Sequence, residues 1–238
     1  MMIKTQPDCK PALSDIRATL HRAQKSSILS SGKFFKTGPG DYAEHDSFIG
    51  VPVPALRKIA KTHAELSFST LQKLIQSKIN EERLLALIIL INRYQKENKK
   101  TQEIIYQFYI KNIKQVNNWN LVDASAHLIM GAHLFDKNKK TLSTLAKSSI
   151  LWERRIAIVS TWYFIKQNEF EYTIKIAVIL LSDEHDLIQK SVGWMLREMG
   201  KRNETVLIDF LKKHAKKMPR TMWRYAIERL SDEIVESL

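Results

Sequence analysis

The chain has 238 residues and a formal net charge of +13, with 44% hydrophobic and 26% charged residues. This balance is typical of a folded protein with a sizeable core, and it excludes global disorder. The longest apolar run, residues 84–91, is too short to span a bilayer, and the single cysteine, Cys9, excludes an internal disulfide framework and a cysteine-rich zinc site.

The N-terminal region, residues 1–33, shows no apolar leader segment after Lys4, so we expect a cytoplasmic protein. This region is predicted to form one amphipathic helix that begins after Ser14 and carries Leu20 and Ile28. Residues 38–50 contain three glycines but lack the strand-to-helix context of a phosphate-binding loop. We predict an ordered loop there, leading into a helix from Pro54.

From residue 55 to residue 218 the sequence has helical periodicity and few turn residues. The whole chain contains only 7 glycines and 6 prolines, and five of the prolines lie before residue 55. A sheet-rich protein needs many more turn residues than this. Apolar residues instead recur at spacings of three and four, as in Val192, Met195, Leu196 and Met199. We therefore predict an all-α protein.

Five similar short segments recur along the chain. Their marker residues lie 38, 33, 35 and 34 positions apart, at Ala86, Ala124, Ala157, Val192 and Ala226. Each interval has room for two helices and two short loops, which is typical of HEAT-like helical-hairpin repeats. We predict a superhelical solenoid of such repeats over residues 34–238, with a concave basic face, within a single domain that spans residues 1–238.

Positive charge recurs beside these markers and predicts a polyanionic partner. Equivalent helices of a solenoid lie side by side, so a recurring residue type forms a stripe. The stripe residues are Arg83, Arg154, Arg155, Lys190 and Arg224. For any single one, a solvated face or an ion pair within the solenoid is the simpler interpretation. For the set, we favour binding of duplex DNA phosphates, which would weaken steeply with salt.

One acidic residue, Asp123, interrupts the basic stripe, within the segment NNWNLVD at residues 117–123. It has two interpretations. In the first, Asp123 is a first-turn carboxylate, with Asn120 as the helix N-cap and a pair with His127 one turn later. In the second, it is an anion inside a basic groove that stabilises a developing cation.

Tryptophan is concentrated in the half of the chain where the repeat is clearest. Trp119 precedes Asp123 by four residues, and Trp194 follows Lys190 by four, so each is predicted to share a helical face with a charged residue. An aromatic ring beside phosphate-binding cations suits packing on a sugar or base. Core packing is the simpler interpretation, and we predict it for Trp162 and Trp223.

Several common catalytic motifs are absent from the sequence. It contains no GxxxxGK[ST], GxGxxG, HExxH or GxSxG pattern, and its 7 histidines are scattered. We therefore expect neither a nucleotide cofactor nor a metal ion.

Six segments together resemble the AlkD-type DNA alkylation repair family of HEAT-like DNA glycosylases, from about residue 35 to residue 230. The segments are residues 37–46, 48–57, 81–87, 117–123, 151–158 and 185–198. The resemblance implies base excision repair: removal of positively charged N-alkylated purines, such as 7-methylguanine and 3-methyladenine, from double-stranded DNA. It implies no cofactor, metal or membrane partner, and we expect a monomer.

The resemblance also implies roles for individual residues. The catalytic aspartate of the family falls on Asp123, the two sugar-flanking tryptophans fall on Trp119 and Trp194, and the groove arginine falls on Arg155, with Arg154 as an alternate one position away. Asp123 would stabilise an oxocarbenium-like sugar and position a water molecule, while Arg155 would hold a phosphate. The other stripe residues would contact the DNA backbone.

The implied chemistry needs one carboxylate, because a cationic purine leaves as a neutral base without a general acid. We therefore expect selectivity for cationic lesions over neutral ones. Two other functions stay open: a non-catalytic HEAT-repeat protein that binds damaged or branched DNA, and an adaptor that binds acidic protein segments. Salt-sensitive duplex binding separates the adaptor from the other two.

Overall fold

The computed structural model describes residues 13–24 and 35–238, and these residues form helices joined mostly by short loops, apart from the long non-helical stretch 35–52 before the second helix. Within this described part, the only strand-like pairing is an isolated bridge between Ser47 and Ile79. The all-α prediction is confirmed. None of the described helices combines the length and the apolar character that a bilayer-spanning segment requires.

The α-helices are, in chain order, α1 (Leu13–Arg22), α2 (Val53–Thr62), α3 (Phe68–Ile75), α4 (Asn80–Lys96), α5 (Lys99–Lys111), α6 (Trp119–Ser125), α7 (Ala132–Leu134), α8 (Lys140–Ala146), α9 (Leu151–Ser160), α10 (Trp162–Lys166), α11 (Glu171–Ile179), α12 (Asp186–Gly200), α13 (Glu204–His214), α14 (Arg220–Ile227) and α15 (Asp232–Glu236). Short 3-10 turns cover Ile113–Gln115 and Ala215–Lys217, and a π-helical turn, His127–Gly131, follows α6.

The helices group into two compact units, Met1–Lys96 and Glu97–Leu238. In the first unit, α2 and α3 pack on α4, and α1 contacts α2. The predicted N-terminal helix is observed as α1, which buries Ile16 and Leu20; its predicted continuation through Ile28 lies outside the described residues. The single-domain prediction for residues 1–238 stays a prediction.

In the second unit, α6, α9, α12 and α14 pack one against the next. The last four repeat markers lie on these four helices, and the first marker lies on α4 of the first unit. α8 packs on α9, while α11 and α13 pack on α12, so that helical hairpins stack. This is the helical repeat that the spacing predicts. The concave basic face stays a prediction.

Side-chain hydrogen bonds repeat together with the helices. Arg83, Arg154 and Gln189 each lie three residues before a marker, and each donates to the backbone carbonyls six and five residues earlier in the chain. Each side chain therefore braces the loop that leads into its own helix. Backbone carbonyls in a tight loop need such donors, because the helical ladder does not reach them.

Two glycines allow helices of the second unit to approach closely. A Cβ atom on Gly131 would lie 2.2 Å from the carbonyl oxygen of Ser160, and a Cβ atom on Gly193 would lie 2.5 Å from that of Met222. Gly131 ends the π-helical turn after α6, and Gly193 lies in α12. A larger residue at either position would push two helices apart.

Candidate functional site

Helix α6 presents Trp119 and Asp123 one turn apart on the same face. The helix begins at Trp119, and Asn118 is its N-cap. The interpretation with Asn120 as the N-cap is therefore wrong, and Asp123 is the fifth helical residue instead of the third. Because the helix dipole acts mainly within the first turn, it does not explain a carboxylate at this position.

Asp123 forms a two-pronged ion pair with Arg155 of α9. The Nε atom of Arg155 donates to Oδ1 of Asp123 at 2.9 Å, and Nη2 donates to Oδ2 at 2.8 Å. Nη1 of the same arginine donates to the backbone carbonyl of Leu187 in α12. The Arg155 side chain is 6% exposed, whereas that of Asp123 is 22% exposed. The carboxylate is thus fixed in one orientation and remains partly open to solvent.

An aromatic row runs beside these polar contacts. The ring centroids of His127 and Trp162 are 4.5 Å apart, and those of Trp162 and Trp194 are 4.9 Å apart in an edge-on arrangement. His127 lies one turn after Asp123, and Trp162 lies two turns after Arg155. Two sets of contacts therefore join three successive segments: α6 with its π-helical turn, α9 with α10, and α12. The polar contacts run from Asp123 through Arg155 to Leu187. The aromatic row consists of His127, Trp162 and Trp194.

Burial keeps His127, the ring that follows α6 in the aromatic row, uncharged. Burial, together with the positive charge of Lys166, lowers the pKa of His127 to about 4, and the backbone of Asp123 opposes part of this shift. His127 is therefore uncharged at neutral pH. The Asp123 carboxylate pairs with Arg155, and the predicted side-chain pair between Asp123 and His127 is not observed.

The prediction that Trp162 and Trp223 are core residues is wrong, because neither side chain is fully buried. Trp162 and Trp223 are both partly exposed, and so are Trp119 and Trp194, while Trp152 is buried at 8% exposure. Trp162 contacts Trp194 directly, so it belongs to the site. No signal in the sequence placed it there, because α9 ends at Ser160, Trp162 begins α10, and its partner Trp194 lies in α12.

Two of the five predicted stripe residues serve the fold. Arg83 has a side chain only 2% exposed and pairs with the buried Asp46. A guanidinium group in that position does not reach a phosphate, so the DNA-contact prediction for Arg83 is corrected to a structural ion pair. Arg154 donates from Nε to Asp183 at 2.7 Å and braces the preceding loop. Both fit the simpler interpretation, an ion pair within the fold.

The other three stripe residues, Arg155, Lys190 and Arg224, occupy the next repeat position, one residue later. Arg155 is engaged by Asp123. Lys190 is 40% exposed and pairs with Asp186 one turn earlier at 2.7 Å, and Arg224 is exposed on α14. The predicted stripe therefore mixed two neighbouring positions of the repeat, of which only the second offers exposed cations.

No group of three or more histidine, cysteine, aspartate or glutamate side chains in residues 13–24 and 35–238 is arranged to hold a metal ion. Cys9 lies outside these ranges.

Comparisons with known proteins agree with this architecture. A solved structure described as "Predicted DNA alkylation repair enzyme from Enterococcus faecalis" matches with a TM-score of 0.66 at 17% sequence identity, over 88% of this chain and 98% of that chain. At this identity the likeness shows the fold alone. No curated protein matches the chain. The family model described as DNA alkylation repair enzyme matches residues 16–230. The chain therefore belongs to the DNA alkylation repair enzyme family.

Proposed function

We propose that the protein is an AlkD-type DNA glycosylase that excises positively charged N-alkylated purines from duplex DNA. Family membership indicates an enzyme of DNA alkylation repair. One observation supports the finer assignment: Asp123 is held by Arg155 in a single orientation, keeps 22% of its side chain exposed, and shares a helical face with Trp119.

The proposed reaction needs one anion and no proton donor. An alkyl group on N7 or N3 gives the purine a positive charge. When the bond between C1′ and the base breaks, its electron pair passes to the base, which leaves as a neutral molecule. The deoxyribose then has oxocarbenium character. Water adds to C1′ and loses its proton to Asp123 or to solvent, which completes the hydrolysis.

Asp123 would act mainly by electrostatics. A fixed carboxylate close to C1′ stabilises positive charge as it develops, without having to reorient during the reaction. The exposed parts of the Trp119 and Trp194 indoles would hold the sugar, and their π faces favour a nearby positive charge. Lys190 and Arg224 would contact phosphates of the DNA backbone.

Arg155 would be a positioning residue in this reaction. Three of its five N–H groups are used, two by Asp123 and one by Leu187. Two N–H groups remain, and these could donate to a phosphate beside the lesion. The phosphate contact that the family resemblance implies is therefore compatible with the ion pair to Asp123.

The test compares two variants that each remove one carboxylate from an Asp–Arg pair. Asp123→Asn should slow release of 7-methylguanine from methylated duplex DNA by at least about a hundredfold, because the charge that stabilises the sugar cation is lost. Asp183→Asn, which alters the pair with Arg154, should keep most of the release. Equal release by wild type and Asp123→Asn would contradict the proposed role of Asp123.

A second candidate function is binding of damaged DNA without excision. The observation in its favour is that both carboxylate oxygens of Asp123 already accept hydrogen bonds from Arg155, which offsets the negative charge available to a sugar cation. Wild-type protein that binds methylated duplex with a steep salt dependence but frees no base would support this function over the glycosylase.

A further inference from the structure

Trp162 is the central ring of the aromatic row. Its neighbours are His127 at 4.5 Å, Trp194 at 4.9 Å and the ammonium group of Lys166, which lies 4.1 Å from its ring centroid. Three different helical segments thus meet at one indole. The family resemblance assigned no role to this residue.

The neighbours of Trp162 differ in burial. His127 is 6% exposed and belongs to the tightly packed turn that ends at Gly131, where helices approach too closely for a side chain. Trp194 is partly exposed, in a helix that packs closely on α14. Trp162 therefore joins a buried side chain, His127, to an indole that is partly open to solvent.

Lys166 makes Trp162 an unsuitable surface for the substrate. Its ammonium group covers the ring, and a second cation, such as an oxocarbenium-like sugar or an alkylated purine, would be repelled there. Among the described residues, no lysine or arginine cation lies over the ring of Trp194. These contacts leave the ring of Trp194 available to a cationic substrate, whereas the ring of Trp162 is not available.

We propose that Trp162 is a positioning residue that fixes the indole of Trp194 in the orientation that holds the lesion-bearing sugar. This inference rests on the proposed glycosylase function. An edge-on aromatic contact restrains the orientation of a partly exposed ring, and small displacements of a group that positions substrate slow a reaction strongly. Lys166 and His127 restrain Trp162 in turn.

The first measurement follows the Trp194 indole without using activity. The chain has 5 tryptophans, so its proton–nitrogen NMR correlation spectrum contains five indole N–H resonances. Trp→Phe variants assign each resonance to its residue. Trp162→Ala should shift and broaden the Trp194 resonance. The control is Trp223→Phe, on α14 and also partly exposed, which should leave that resonance in place. An unmoved Trp194 resonance in Trp162→Ala would overturn the proposal.

The second measurement is single-turnover release of 7-methylguanine at saturating protein. We expect Trp162→Ala to lower the maximal rate on the order of tenfold, with the Kd for methylated duplex changed less than twofold. Trp162→Phe keeps a ring against His127 and should recover most of the rate. If Trp162→Ala does not fold, Trp162→Phe should still show a smaller shift of the Trp194 resonance together with a modest loss of rate.

These measurements can refute the proposed glycosylase function and the positioning role of Trp162 separately. Wild-type protein that frees no base refutes the proposed function, and the Trp194 resonance then still decides whether Trp162 sets the orientation of that indole. Active wild-type protein combined with an unchanged rate in Trp162→Ala refutes the positioning role alone. A change in Kd with an unchanged maximal rate also refutes it, because that result would make Trp162 a DNA-binding residue.

Discussion

Replacing Arg155 with methionine tests whether Arg155 holds the Asp123 carboxylate in place. The substitution keeps most of the side-chain volume but removes both hydrogen bonds to Asp123 and the one to Leu187. Asp123 is left without its charged partner, on a helix packed against α9. We expect lower stability and slower base release, because one group serves both the fold and the site.

The magnitude follows from burial. Removing one partner of a fully buried ion pair costs about 3–5 kcal/mol. Asp123 keeps 22% of its side chain exposed, so water can replace part of what is lost, and we expect about 2–3 kcal/mol. For a chain of this length, that lowers Tm by about 5–10 °C. Release should slow by about a hundredfold, since the carboxylate is no longer held in one orientation.

Denaturant unfolding and single-turnover release measure the two effects separately. Arg224→Met, which removes the same charge from an exposed position, should change stability by less than about 0.5 kcal/mol. A double-mutant cycle of Asp123→Asn with Arg155→Met should give a coupling free energy of about 1–3 kcal/mol. A coupling near zero, or a wild-type unfolding midpoint in Arg155→Met, would refute the reasoning.

Three further predictions concern packing, pH and salt. Gly193→Ala places a methyl group against the carbonyl of Met222 and should destabilise the protein by about 1–3 kcal/mol. If this variant is as stable as the wild type, α12 and α14 can move apart without cost. Because the pKa of His127 falls to about 4 on folding, the folded state binds fewer protons below pH 6.5 and stability drops as the pH falls. The loss between pH 7 and pH 5 should be about 2 kcal/mol from this residue, and His127→Phe should remove it; an equal loss in that variant would contradict the assignment. Lys190→Ala and Arg224→Ala should each lower the salt slope of duplex binding by about 1; unchanged slopes would exclude phosphate contacts at these positions.

The sequence was sufficient for the helical repeat, because that depends on local signals. Few glycines and prolines, apolar spacings of three and four, and the markers from Ala86 to Ala226 all reflect interactions within or between neighbouring helices. The predicted start of α6 is wrong: the prediction places the N-cap at Asn120, although Asn118, two residues earlier, has the same side chain. Only the observed backbone distinguishes them, and it begins the helix at Trp119.

Burial and pairing across helices were not accessible from the sequence. Arg83 and Arg155 look alike as basic residues at the start of an apolar helix, yet one braces a buried loop and the other orients Asp123. Trp162 looked like a core residue because nothing in its own segment shows that Trp194 lies beside it. Such contacts depend on residues about 30 positions apart, and a single sequence does not pair them.

The most direct test of the account measures free base and bound DNA in the same samples. Wild-type protein and Asp123→Asn are each incubated in excess with duplex DNA that carries 7-methylguanine, and the released base is quantified by mass spectrometry. The account predicts that the wild type frees the base, while Asp123→Asn binds the duplex equally well and frees almost none. Tight binding by both proteins without any released base would contradict it.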